Sequence, residues 1–162
     1  MKNQDLTYTF TVDQSPDQAF AAINNVRAWW SGEIEGETDK LGAVFTYRYK
    51  DIHMSKHKIT EFVPGKKVVW LILDSNLSFV KDKTEWNGTK VVFEIAKKGN
   101  LTQVRFTHVG LNPQQECFDG CSNAWGSYVN GSLRNLIVAG KGSPNKKEKG
   151  AKENGGRELV AR

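Results

Sequence analysis

Near its start the chain alternates apolar and polar residues at every step. Leu6, Tyr8, Phe10 and Val12 trade places with Thr7, Thr9 and Thr11. A period of two with β-branched residues predicts a half-buried strand. The period then becomes helical. Ser15 stands where an N-cap belongs, and Pro16 at the first helical position, where its missing N–H costs nothing. Phe20 and Ile23 mark the buried side of a short helix, and Val26, Trp29 and Trp30 that of a second. Residues 31–42 are acidic and Gly-rich, which predicts a loop.

Strand patterns then resume. Ala43, Phe45, Tyr47 and Tyr49 alternate with Val44, Thr46, Arg48 and Lys50, and a second strand covers 52–63. Pro64-Gly65 is a turn dipeptide. In the next strand Val68, Trp70 and Ile72 alternate with Val69, Leu71 and Leu73, so both faces are apolar. Residues 76–81 read as a short edge strand. Asn87-Gly88 signals a tight turn before a strand over 89–97. Lys98-Gly99-Asn100 turns the chain again. Thr102, Val104, Phe106 and His108 then alternate with Gln103, Arg105 and Thr107.

The last pattern is helical. Asn112 can cap a helix opened by Pro113. Cys117, Cys121, Trp125, Tyr128, Ser132 and Leu136 follow at spacings of 4, 4, 3, 4 and 4, one face of a long helix. Gly120, Gly126 and Gly131 lie inside it, each costing about 1 kcal/mol of helix propensity. Either they let the helix approach a sheet closely or the helix breaks near Gly120. Gly140 and Gly142 end it.

This order is not βαβα, which argues against a parallel sheet. Short turns between successive strands imply antiparallel hairpins. The terminal helix is the one element long enough to cover such a sheet. The expected architecture is therefore α+β: a curved antiparallel sheet of six to seven strands, two short helices and a long C-terminal helix. A chain of 162 residues favours one domain and needs no disulfide or metal to be stable. That domain is expected over 1–140, followed by a basic, disordered tail over 141–162.

Charge places limits on partners. Of the net +5, the tail carries seven Lys/Arg against three Glu, and residues 1–140 carry sixteen Lys/Arg against fifteen Asp/Glu. The folded body is nearly neutral and shows no basic stripe of the kind nucleic acid requires. No apolar run approaches the roughly 20 residues of a membrane span, and the first residues lack the apolar core of a signal peptide. Cys117 and Cys121 sit one helical turn apart, a poor match to disulfide geometry, and read as buried, reduced thiols suited to the cytoplasm.

The quoted segments bear a resemblance. SPDQAFAAINNVRAWW, KITEFVPGKKVVW, TKVVFEI with LTQVRFTHVGL, and CSNAWGSYVNGSLRNLI follow one another in the order seen in the SRPBCC (START-like) superfamily. Within it they resemble the homologues of the heat-shock-protein-90 ATPase activator, over residues 5–140. The resemblance implies a helix-grip (START-like, birch-pollen-allergen-like) fold with a cavity between sheet and long helix. It also implies binding of lipids or other apolar small molecules, mostly without catalysis. Chaperone activity does not follow for a stand-alone domain.

On that basis Trp29, Trp30, Phe45, Tyr47, Tyr49, Trp70, Phe93, Phe106, His108, Trp125 and Tyr128 are the expected pocket. They are aromatics with a few polar tips, as small-molecule sites require, with Tyr47, Tyr49, His108 or Tyr128 orienting the ligand. Trp29 and Trp30 with loop 31–42 would form a gate whose Glu33, Glu35, Glu37 and Asp39 repel anionic head groups. His53 and His57, four apart on a strand and about 13 Å apart along it, read as surface residues unable to share a metal. Glu61 shares the parity of Ile59 and Val63 and is expected to point inward, Glu94 outward. No cofactor is implied: the chain has no P-loop, GxGxxG, HExxH or paired CxxC. The alternatives are a protein–protein adaptor and a cyclase- or hydrolase-like enzyme using His108, the latter with Cys117 or Cys121 as thiol partner. The expected state is a monomer or weak homodimer.

Overall fold

Helix α1 (Pro16–Asn24) begins where its capping residues dictate. Ser15 Oγ accepts from the Gln18 N–H at 3.1 Å, and Gln18 Oε1 accepts from the Ser15 N–H at 2.9 Å. This reciprocal pair satisfies two otherwise orphaned donors. Ala19, Phe20 and Ile23 form its buried side. The chain then makes the single turn α2 (Val26–Trp29). The structure is a computed structural model and describes residues 5–144 apart from 32, 51, 79, 82 and 114. The expected disorder of the tail falls, from residue 145 on, outside the described residues. Its first part is held, with the Ser143 N–H donating to Ser132 Oγ at 2.6 Å.

Seven strands form one antiparallel sheet in the order β1-β7-β6-β5-β4-β3-β2. They are β1 (Leu6–Val12), β2 (Ile34–Gly36), β3 (Val44–Tyr49), β4 (His53–Val63), β5 (Lys67–Leu77), β6 (Lys90–Lys98) and β7 (Leu101–Val109). Three expectations need correction. The acidic loop 31–42 contains a three-residue edge strand, because Arg27 donates to the carbonyls of Ile34 and Gly36 and fastens them beside β3. Residues 76–81 are no separate strand: Asn76 and Leu77 are the end of β5. Glu61 points outward, to Lys67 at 3.4 Å, because a register shift between Ile59 and Glu61 reverses the alternation.

On the outward face Val44, Lys58, Leu71, Lys90 and Val109 line up across five strands. Arg48, Lys56 and Arg105 are exposed nearby, with Asp74 and Glu94 among them. The nearly neutral body therefore does carry a basic-aliphatic face, which composition alone hides.

The inward face is covered by the terminal helix. It runs as α3 (Phe118–Gly126), a π-helical stretch (Ser127–Leu133) and α4 (Arg134–Ala139), and ends at Gly140 in the left-handed conformation. Asn112 and Pro113 belong to the turns before it. The glycines do not break it. A Cβ on Gly126 would meet Tyr8 Oη at 3.1 Å, so that glycine admits the close approach of β1.

Gly36 gives a stability test. Its φ is +108°, and a Cβ there would lie 2.3 Å from the Val44 carbonyl oxygen, whereas Gly88 (φ +81°) opens onto free space. Gly88→Ala carries only the backbone strain, about 1 kcal/mol. Gly36→Ala adds a backbone clash and is expected to cost clearly more in urea unfolding.

Candidate ligand site

The inward side chains of β3 to β7 meet those of α2 and α3 in one aromatic cluster. It contains all five tryptophans and all three histidines of the chain. Trp30 stacks on Tyr47 at 4.1 Å between centroids, lies parallel to Trp70 at 5.8 Å and tilts onto Trp125 at 4.9 Å. Phe93 and Phe106 close the β6–β7 side at 5.4 Å from each other, and Phe106 reaches Trp125 at 4.7 Å. Phe45 stacks on His57 at 4.9 Å.

Nine of the eleven expected pocket residues are buried together here: Trp29, Trp30, Phe45, Tyr47, Trp70, Phe93, Phe106, His108 and Trp125. Tyr49 and Tyr128 are half-buried at its margin. Tyr128 meets Trp30 edge-on at 6.4 Å. The helix faces the sheet through Cys117, Cys121, Trp125, Val129, Leu133 and Ile137, with Ser132 beside them. An even spacing of four is too long for an ideal α-helix at 3.6 residues per turn. The π-helical stretch widens the turn and keeps that row aligned, which displaces Tyr128 from the face that ideal helical spacing assigns to it.

Trp29 and Trp30 are no gate. They are 0 % and 2 % exposed and sit at the centre. His57 is no surface residue: it is fully buried, and His53 is half-buried. Their side chains bend together and meet on Ser55, whose Oγ lies 3.2 Å from His53 Nε2 and 2.8 Å from His57 Nε2. Trp86 is a participant that the sequence pattern did not reveal. It stands in a run of turns without periodicity, yet its indole fits edge-on between His53 (4.6 Å) and His108 (4.7 Å) and parallel to Trp125. A large aromatic beside an Asn-Gly turn was its one signal.

The polar atoms divide into two kinds. His108 is fully satisfied. Its Nδ1 accepts from the Trp125 indole N–H at 3.1 Å, so Nε2 carries the proton and donates to Thr89 Oγ1 at 2.8 Å. Thr89 in turn donates to the Trp86 carbonyl at 2.6 Å. By contrast, His57 Nδ1, Trp70 Nε1 and Trp86 Nε1 are buried with no hydrogen-bond partner. Burial pushes His53 and His108 down to about 3 and His57 well below its ordinary value, so all three are neutral near pH 7. His53 keeps some residue exposure, but its imidazole is enclosed edge-on by Tyr47 and Trp86.

Cys117 and Cys121 are free and buried. Hydrogen bonding to Cys121, then burial, pushes the Cys117 thiol far up, which keeps it protonated. Glu85 holds the start of the helix by accepting from the Glu116 and Cys117 N–H groups at 3.0 and 3.2 Å. Among the described residues no cluster of His, Cys, Asp or Glu could hold a metal, and no helix is long and apolar enough to cross a membrane.

Comparison places this geometry among known proteins. A family model described as Activator of Hsp90 ATPase homolog 1-like protein matches residues 3–137. The Aha1 dimer from Colwellia psychrerythraea superposes with a TM-score of 0.69 at 23% identity, over 86% of this chain and 99% of that one. DynU16, from the dynemicin biosynthetic locus, gives 0.64 at 13% identity, over 90% of this chain and 52% of that one. CalU16 from Micromonospora echinospora gives 0.57 at 12% identity, over 82% and 74%. At these identities the likeness shows the helix-grip fold alone. No curated protein sequence matches the chain.

The buried histidines predict how stability depends on pH. Each has a folded pKa below its unfolded value of about 6.5. Their contribution is complete above pH 6.5, where both states keep the ring neutral. It is lost as pH falls from 6.5 toward 3, where the unfolded chain takes a proton the folded chain refuses. His108, pushed down to about 3, should cost about 2 kcal/mol between pH 7.5 and 5, and His57 adds to the loss in the same direction. Urea unfolding at the two pH values is expected to show a loss of at least about 2 kcal/mol. A loss no larger than the carboxylates explain, unchanged in His108→Gln, contradicts this.

Proposed function

We propose that this chain, which belongs to the Activator of Hsp90 ATPase homolog 1-like family, binds an apolar or amphipathic small molecule between its sheet and terminal helix without transforming it. The observation that carries this reading is the set of orphaned nitrogens. A buried donor or acceptor without a partner costs about 1–3 kcal/mol, and His57, Trp70 and Trp86 each present one within the same cluster. A guest with polar atoms recovers that cost.

The rings limit how the guest lies. Sandwiching a planar molecule needs parallel rings about 7 Å apart, twice an optimal carbon–carbon separation. Trp30 and Trp70 are 5.8 Å apart, Trp86 and Trp125 5.9 Å. The guest therefore packs against ring edges, beside the orphaned nitrogens.

Two other readings fit less well. An adaptor needs a contiguous exposed apolar patch, whereas Leu41, Ile52, Val63, Leu101 and Val138 lie on different elements, and on the outward sheet face Lys58 and Lys90 stand between Val44, Leu71 and Val109. An enzyme using His108 needs a free imidazole nitrogen, and both are engaged. A thiolate at Cys117 is opposed by its raised pKa. The proposal places the protein in the cytoplasm, as a monomer or weak homodimer, with its cysteines reduced.

The test is a titration with a neutral polycyclic probe such as fluorenone, followed by tryptophan fluorescence and by indole N–H resonances. Saturable quenching with movement of the Trp70 and Trp86 signals is expected. Trp86→Phe should weaken binding about tenfold, the worth of one hydrogen bond. A folded protein that answers no neutral polycycle up to its solubility limit rules the reading out.

A further inference from the structure

We infer, on the reading just given, that the site admits only uncharged ligands and that the His53–Ser55–His57 relay offers His57 Nδ1 to them as either donor or acceptor. The first half follows from what the interior lacks. Its buried polar side chains are Asn, Ser, Thr and His, with no Lys, Arg, Asp or Glu among the described residues. An ion brought into such a place loses its hydration with no opposite charge to replace it. A fatty acid in its ionised form, a phosphate head group and an amine are therefore all excluded, although their apolar parts would fit.

The second half follows from the relay. Each neutral imidazole carries one ring proton and Ser55 carries one hydroxyl proton. Ser55 Oγ stands between His53 Nε2 and His57 Nε2 at 3.2 and 2.8 Å. In one arrangement His53 Nε2–H donates to Ser55 Oγ, and Ser55 donates to a bare His57 Nε2. His57 Nδ1 then bears the proton and acts as a donor. In the other, His57 Nε2–H donates to Ser55, Ser55 donates to a bare His53 Nε2, and His57 Nδ1 is an acceptor. Both arrangements hold the same protons and no net charge. The proton that leaves His57 Nδ1 is replaced by one arriving at His53 Nδ1, on the half-buried histidine of the pair.

Ring rotation offers no alternative way to change polarity. His57 lies flat on Phe45 at 4.9 Å and edge-on to Trp30 and Trp70 at 5.4 and 5.3 Å, which fixes its plane, and a half-turn within that plane would carry Nε2 off Ser55 Oγ, 2.8 Å away. The indole nitrogens of Trp70 and Trp86 can only donate. His57 Nδ1 is thus the atom of the three that can accept from a ligand hydroxyl or amide N–H. A neutral ligand that carries an acceptor for an indole N–H and a donor or acceptor for His57 Nδ1 suits these atoms.

The experiment uses the full chain labelled with 15N at histidine, read by long-range imidazole correlation spectra. In the free protein His53 and His57 are expected to show opposite Nε2 protonation; Nε2–H on both rings overturns the relay. Three tricyclic probes of similar shape then separate the cases: carbazole (donor only), fluorenone (acceptor only) and fluorene-9-carboxylate (anion). Carbazole should draw His57 to the form with bare Nδ1, fluorenone to the form with Nδ1–H, and His53 should change in step. In Ser55→Ala that coupling is lost. The carboxylate should bind at least about 100-fold more weakly than fluorenone. Carboxylate binding within tenfold of fluorenone, or one His57 tautomer in both neutral complexes, overturns the inference while leaving the ligand-binding reading intact. Failure of both neutral probes to bind removes that reading and this inference with it.

Discussion

Trp30 joins the short helices, the sheet and the terminal helix through a single ring. It closes α2, with its backbone N–H on the Val26 carbonyl at 2.8 Å. Its ring then stacks on Tyr47 of β3, runs parallel to Trp70 of β5 and leans on Trp125 of α3. Aromatic pairs of this kind are worth about 0.5–1.5 kcal/mol each beyond the area they bury. The direction of the short helices, the curvature of the sheet and the height of the terminal helix must all suit one ring. The same ring forms an edge contact with His57, so the geometry that holds the layers together also sets the polar end of the site.

The terminal helix bends to this constraint. An α-helix whose buried residues recur every fourth position turns its stripe steadily away from a fixed partner. Here the stripe stays in line from Cys117 to Ile137, and the helix widens to a π-helix between Ser127 and Leu133 instead. Ser132 anchors the widened turn, donating to the Trp29 carbonyl at 2.7 Å and accepting from the Ser143 N–H. The distortion is therefore held at both α2 and the chain that returns after Gly140.

Much of the fold was legible in the sequence because period and capping are local. The alternation of Thr102, Val104, Phe106 and His108, the cap at Ser15 and the two short helices all stand as the pattern predicts. The errors share a physical cause, since each needs a partner far along the chain. Glu61 turns outward at a bulge against β5. β2 exists because of Arg27. Tyr128 leaves the inward face because the helix is wound to suit Trp125 and the sheet. For the site, eight aromatics and His108 were readable as inward, and their mutual contacts were not. His57 shows the limit: it shares the parity of the buried Ile59 on β4, yet its polarity assigned it to the surface, and only its contacts with Phe45, Trp30 and Trp70 show why an imidazole is kept inside.

On the proposed reading, the two fully buried imidazoles account for an interior used for binding rather than for catalysis. His108 and His57 share burial, neutrality and aromatic neighbours, yet one is completed by protein groups and the other is not. A general base needs a nitrogen whose pKa lies near the working pH and whose lone pair faces the substrate. His108 meets neither condition. His57 has the free nitrogen but a pKa driven far down by desolvation, with no carboxylate beside it to stabilise the charged ring. A proton taken from a substrate could not be kept there. What such a nitrogen can do is exchange one hydrogen bond for another at constant charge, which is the operation recognition requires and proton abstraction does not.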